Sequence, residues 1–165
     1  MKSLANLMII AAVGKNLELG YKNDLIWKIK EDLSFFKEAT MDRYIIMGTK
    51  TYHSLPKKLP VRKYVVLSDE LEPSDDYILC KNLDELLKFI KDTPEMMYVV
   101  GGGIIYKLLM PYSAGMLLTE IDEAFPAADT YFPKLNMSEW EKIEGKPQSE
   151  GDIKYARNLY ARKAD

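Results

Sequence analysis

Along the first two thirds of the chain, runs of apolar residues alternate with stretches of helical spacing. Residues 7–13 form a continuous apolar run, the pattern of a strand buried on both faces, and a long polar loop containing Gly14, Asn16, Gly20 and Asn23 follows through Lys28. From Ile29 to Thr40 the period changes. At roughly 100° per residue, Ile29, Leu33, Phe35, Phe36 and Ala39 share one side, with Lys30, Glu31, Ser34, Lys37 and Glu38 opposite. Strands are then predicted over 44–47, 64–67, 77–80 and 96–100. Helices are predicted over 49–55, over 83–90 with Asn82 as cap, and over 104–110 before Pro111. Pro56 and Pro60 break the chain after the first of these.

Beyond Met116 the texture is different: 116–121, a short piece near 130–132, 140–144 and 153–162 all read as strands with no helix between them. The last two are expected to form a hairpin. Strands alternating with helices imply a largely parallel sheet covered on both faces, and the terminal strands add an antiparallel edge. The expected fold is one α/β domain over residues 1–165: three α/β/α layers around a mixed, mostly parallel sheet of about eight strands, with a C-terminal antiparallel hairpin. A length of 165 residues and a hydrophobic content of 47% suit one substantial core.

Charge and composition narrow the function. A formal net charge of −2, with one His and basic residues scattered among acidic ones, offers no field for nucleic acid. The apolar run at 7–13 is too short for a signal peptide or a membrane span, so a cytoplasmic protein without a membrane partner is expected. Lone Cys80 has no disulfide partner in the chain, no Cys/His cluster suggests zinc, and neither His53 nor Cys80 has a neighbour in sequence that would activate it.

One residue breaks the helical pattern. Asp32 falls on the apolar side of the helix at 29–40, and a carboxylate there is paired, neutral or placed for a ligand. The plainer alternative is a first-turn acid satisfying free N–H groups and the helix dipole. Gly101, Gly102 and Gly103 stand between a strand and a helix start, a geometry that admits an anion close to backbone N–H groups or merely makes a tight turn. The stretch has neither the spacing of a dinucleotide fingerprint nor a P-loop lysine. Gly48, Thr49, Lys50 and Thr51 repeat the arrangement, so that two sites could hold one diphosphate. Trp27 precedes the helix of Asp32, and Arg62 follows a proline turn, where a rigid guanidinium suits a carboxylate.

Taken together, these stretches resemble dihydrofolate reductase from about Leu7 to Arg162. The resemblance rests on Ile10-Ala11-Ala12, Leu19-Gly20, Asn23-Asp24-Leu25-Ile26-Trp27, Glu31-Asp32-Leu33 with Phe36-Lys37, Ile46-Met47-Gly48 with Thr51, Leu59-Pro60 with Arg62-Lys63, Val100-Gly101-Gly102-Gly103 with Tyr106, Leu118-Thr119-Glu120-Ile121, and Asp129-Thr130 before Phe132-Pro133.

What the resemblance implies is specific. The expected reaction is hydride transfer from NADPH to C6 of 7,8-dihydrofolate with protonation at N5, giving tetrahydrofolate for one-carbon metabolism. Asp32, Trp27 and Thr119 would be the catalytic group, Asp32 gripping the pterin and Thr119 supporting it. Ile10, Ala11, Leu25, Leu33, Phe36, Lys37, Leu55, Arg62 and Val100 would join Asp32 and Thr119 in binding substrate, with Arg62 on the α-carboxylate of the glutamate tail. Ala12, Leu19, Gly20, Asn23, Gly48, Thr49, Lys50, Thr51, Leu67, Ser68, Asp69, Lys81, Val100, Gly101, Gly102, Gly103, Ile104, Ile105 and Tyr106 would bind the cofactor. No metal is implied. The Gly101–Gly102 peptide is expected to be cis, and residues 14–28 to form a lid.

The chain also departs from the family pattern. Thr49 and Ile104 stand where arginines that grip a 2′-phosphate are found, and Asp69 adds a negative charge. Lys50 and Ser68 remain, so NADPH is favoured and NADH is the alternative. Ile26 and Lys30 replace prolines, which should loosen the lid slightly. Antifolate-type inhibitors would share the folate site, and a monomer suffices. Two other functions share some features: a pyrimidine reductase of riboflavin synthesis has the same fold and cofactor half, and a noncatalytic nucleotide-binding module would need only the anion sites. Asp32, Trp27 and Arg62 argue against both.

Overall fold

The computed structural model describes residues 3–55 and 60–164. Pro56 and Leu59 lie outside the described residues. Twelve strands and four helices follow one another: β1 (Leu4–Val13), β2 (Glu18–Tyr21), β3 (Asp24–Leu25), α1 (Lys30–Ala39), β4 (Tyr44–Gly48), α2 (Thr49–Ser54), β5 (Lys63–Leu67), β6 (Ile78–Cys80), α3 (Leu83–Asp92), β7 (Met97–Gly101), α4 (Gly103–Leu109), β8 (Ser113–Ile121), β9 (Thr130–Tyr131), β10 (Trp140–Ile143), β11 (Pro147–Glu150) and β12 (Ile153–Arg162). The main sheet runs in the order β10-β12-β8-β1-β7-β4-β5-β6, with β11 paired to β12.

The apolar runs become the parallel strands. β8, β1, β7, β4, β5 and β6 pair in parallel, and β12 lies antiparallel to β8. Alternate residues divide between two faces. Leu7, Ile9, Ile46, Val65, Met97, Val99, Met116 and Leu118 pack with Leu86 and Ile90 of α3 and with Ile105, Tyr106 and Leu109 of α4. On the opposite face Ile45, Met47, Tyr64 and Val66 pack with Tyr52 and Leu55, and Ile29 meets Ile121 and Tyr155. The three-layer expectation is therefore met.

Two details differ from the sequence reading. The polar loop before α1 contains β2 and β3, joined by Lys22 and Asn23 at positive φ (51° and 62°), the geometry of a tight two-residue hairpin turn. Together with β9 they make a separate small sheet. The C-terminal hairpin is also built differently. β12 turns through Gly151 directly from β11, while β10 pairs with the far half of β12, Trp140 opposite Arg162. Pro147–Glu150 escaped notice because it has no apolar alternation.

Candidate active site

α1 begins without a side-chain cap of its own: Ile29 cannot bond the free N–H groups of the first turn. The carboxylate of Glu150, at the end of β11, supplies the missing acceptor, taking the Lys30 N–H at 3.0 Å. A proline at position 30 would have no N–H to give, so the expected loosening is offset by a tie between helix and hairpin.

Asp32 sits in the same first turn, two residues on, with 17% of its side chain exposed. Its Oδ1 accepts from Thr119 Oγ1 at 2.5 Å and from an Arg157 terminal nitrogen at 2.8 Å. Oδ2 has no protein partner among the described residues, so the carboxylate is fixed by one oxygen and open at the other. The placement follows from register. Ala12 of β1, Thr119 of β8 and Arg157 of β12 are direct neighbours across three strands, and Thr119 and Arg157 project together toward α1. Glu31, expected to face water, accepts at 2.8 Å from both Tyr155 and Arg157. The Arg157 bond, opposed by partial burial and aided by Tyr155, holds the Glu31 carboxyl below the usual range.

Arg157 was absent from the expected site. Its signal lay in the alternation of the last strand, where it sits between Tyr155 and Leu159 on the inward face, but reading that signal requires the β8–β12 pairing.

At the other end of α1, Arg62 is held by main chain. It donates to the Pro60 carbonyl at 2.6 Å and to the Lys37 carbonyl, while its Nε donates to Thr40 Oγ1 at 3.2 Å. Lys37 itself is exposed, and its contribution here is its carbonyl. Between the two ends, Leu33 is 37% exposed and Phe36 is half-buried, leaving apolar surface beside Asp32. Leu25 is 45% exposed, while Ala11, Leu55 and Val100 are half-buried. The Ile10 carbonyl accepts from the buried Tyr106 hydroxyl at 2.8 Å, and burial pushes that phenol's pKa far up. Trp27 packs with Ile29, Ile121 and Tyr155 and meets Phe125 edge-on at 6.4 Å.

The two glycine-led helix starts lie side by side. β4 and β7 are parallel neighbours, Met47 opposite Gly101, so α2 and α4 both begin at the same edge of the sheet. The Gly101–Gly102 peptide is cis. A side chain at 102 would stand 3.3 Å from Thr51 Oγ1, and one at 103 would meet Thr130 at 3.1 Å and Leu19 at 3.9 Å. Bare backbone thus faces Thr51 on one side and Leu19 and Thr130 on the other, and the N–H groups of two helix starts give it a polarity that suits an anion. Ile105 closes against Gly48, while Ile104 is 79% exposed.

Nearby, Thr49 donates to Ser68 Oγ at 2.7 Å, and that oxygen also accepts from the Glu70 and Leu71 N–H groups. Lys50, Asp69 and Lys81 are exposed, and Leu67 is half-buried.

The loop expected to act as a lid is pinned at its base. Glu18, 1% exposed, accepts from the Asn16 N–H at 2.8 Å and the Phe125 N–H at 2.6 Å. Burial opposes its ionisation, but these N–H donors outweigh it and lower its pKa. Gly20 and Asn23 lie in the small sheet's hairpin, whose turn is tied to Asp129 through the Lys22 N–H. That bond, with help from Thr130 and the charge of Lys50, keeps the Asp129 carboxyl low.

The chain is similar to known proteins in sequence and fold. The sequence model of the family described as dihydrofolate reductase matches residues 6–162. A dihydrofolate reductase of Buchnera aphidicola is 37% identical over 133 residues, 80% of this chain and 81% of that one. One from Bacillus subtilis is 34% identical over 154 residues, covering 92% and 87%. Among solved structures, a dihydrofolate reductase from Enterococcus faecalis complexed with NADP(H) and RAB-propyl superposes with a TM-score of 0.88 at 25% identity, covering 98% of this chain and 99% of that one. By its sequence and its fold, the chain belongs to the dihydrofolate reductase family.

Proposed function

We propose that Asp32 anchors the pterin of 7,8-dihydrofolate in the cleft along α1, and that the glycine cradle opposite takes the diphosphate of NADPH. The reaction is that of the family: 7,8-dihydrofolate becomes 5,6,7,8-tetrahydrofolate. The observation that carries the reading is the carboxylate held by one oxygen and open at the other, beside apolar surface. A pterin presents a ring N–H next to an exocyclic amino group, and a carboxylate accepts both in charge-assisted bonds worth roughly 1.5 to 3 kcal/mol each.

Held this way, the ring lies against Leu33 and Phe36, with the carbonyls of Ile10 and Val100 toward its edge. Arg62 takes the α-carboxylate of the glutamate tail. NADPH, when bound, supplies the hydride that reaches C6. Asp32 polarises the ring so that N5 accepts a proton from water, and the lid with Leu19 restricts how much water enters. Ala12 meets the nicotinamide amide. The 2′-phosphate falls to Lys50 and the Thr49–Ser68 hydroxyl pair, since no arginine is available at positions 49 or 104.

The same proposal treats residues 1–165 as one domain, a cytoplasmic monomer whose partners are folates and antifolate-type inhibitors rather than nucleic acid or membrane. The net charge of −2 supports small-molecule partners. Among the described residues no helix is long and apolar enough to cross a membrane.

Dihydrofolate-dependent oxidation of NADPH and of NADH, followed side by side at 340 nm, tests the reading. The expected result is turnover with a lower KM for NADPH. Absence of dihydrofolate-dependent oxidation with both would overturn it.

A further inference from the structure

The anchoring carboxylate is not alone. Arg157 donates through one terminal nitrogen to Asp32 Oδ1 and Glu31 Oε1, both at 2.8 Å, and its guanidinium lies 3.8 Å from the centre of the Phe35 ring. Only 12% of its side chain is exposed, and its Nε is buried without an acceptor. Burial disfavours its charge, yet Glu31 and Asp32 raise its pKa further, so it stays a cation. Three elements hold it: α1 supplies Glu31, Asp32 and Phe35, β8 supplies Thr119 opposite it, and Tyr155 of its own strand secures Glu31.

The charge count has a chemical consequence. Two carboxylates and one guanidinium leave the cluster with a single net negative charge, already drawn toward Arg157. Open Oδ2 can still accept hydrogen bonds from a neutral ring. A ring that enters protonated gains less from an anion whose charge is shared, and also meets a fixed cation behind it.

We propose that Arg157 is a specificity-determining residue of the ring site, weakening the pocket's preference for protonated heterocycles over neutral ones of the same shape. The proposal rests on the reading of Asp32 as the ring anchor.

The test compares folate, whose ring carries a 4-oxo group, with its 4-amino analogue, whose more basic ring takes up a proton more readily. Dissociation constants for both come from quenching of protein fluorescence at fixed pH, in wild type, Arg157→Met, Arg157→Lys and Asp32→Asn. Met keeps the length and a contact with Phe35 while removing the charge. In Arg157→Met the preference for the 4-amino over the 4-oxo ligand is expected to rise about tenfold, equivalent to 1.4 kcal/mol. Arg157→Lys, which keeps the cation, should stay within about threefold of the wild-type ratio.

A purely structural role would weaken both ligands alike and leave the ratio unmoved, which would overturn the proposal. So would an Arg157→Lys ratio matching Arg157→Met. Asp32→Asn separates the two levels of inference. Unchanged binding of both ligands in that variant would remove the anchor reading, and this proposal with it; weakened binding there, with an unmoved ratio in Arg157→Met, would remove this proposal alone.

Discussion

The two ends of α1 hold opposite charges by opposite means. At its start an anion, Asp32, is fixed by donors from β8 and β12. At its end a cation, Arg62, is fixed by acceptors from the helix's last turn and the loop before β5. The five helical rises from Asp32 to Lys37 span roughly 7.5 Å along the axis. Among the described residues each charge spends only part of its bonding capacity: Asp32 leaves Oδ2, and Arg62 leaves the second N–H of the nitrogen that meets Lys37, besides a weak contact to Met41 Sδ at 3.8 Å. The first end depends on strand pairing between distant parts of the chain. The second reaches back only 22 to 25 residues.

The largest expected effect separates the ends by chemistry. Asp32→Asn keeps the shape and removes the charge, and should lower kcat/KM for dihydrofolate on the order of 10²- to 10³-fold while NADPH affinity stays within about twofold. A kcat/KM near wild type would show that the anion is not where the reaction is assisted.

Arg62→Ala should act on binding. KM for dihydrofolate should rise roughly tenfold to a hundredfold with kcat little changed, and a substrate without the glutamate tail should show no such rise. Equal losses with and without the tail would mean that Arg62 serves only to close the end of α1.

Thr119→Val is the finer probe of the first end. It deletes the hydroxyl that meets Oδ1 at nearly constant shape, and dihydrofolate affinity should fall about tenfold. Glu150→Gln keeps an acceptor for the Lys30 N–H but removes the charge at the helix start. Loss of up to about 1 kcal/mol there should lower Tm by about 2 to 4 °C with kcat unaffected.

The smallest effect concerns the lid rather than α1. Glu18 is held below its ordinary pKa in the folded protein, so its contribution is present above the unfolded carboxyl value of about 4.3 and lost as pH falls through the lower folded value. Acid titration of the wild type should loosen the lid in that window, read by amide exchange at Phe125. Glu18→Gln should already show fast exchange there at neutral pH. Identical protection in both proteins would detach Glu18 from lid closure.

Buried apolar runs made β1, β4, β5 and β7 legible in the sequence, and the clash of Asp32 with its helical face marked the site. Signals vanished where stability comes from pairing rather than burial. Glu18–Tyr21 and Asp24–Leu25 are too short and too polar to show a period, and they persist as strands by pairing with each other and, through β2, with β9. Glu31 and Arg157 were hidden for a related reason. Helical spacing alone sends Glu31 to water, and nothing near it in sequence announces a guanidinium 126 residues away.

The tie between Glu150 and the start of α1 also bears on synthesis. A growing chain presents α1, then the β8 strand bearing Thr119, well before the ribosome has added β11 and β12. Until then the first N–H of the helix is met by water alone, and Glu31 and Asp32 lack the Arg157 guanidinium. The ring site is therefore among the last features to mature on a nascent chain, and a product truncated ahead of Glu150 would carry every residue of the glycine cradle beside an unfinished anchor.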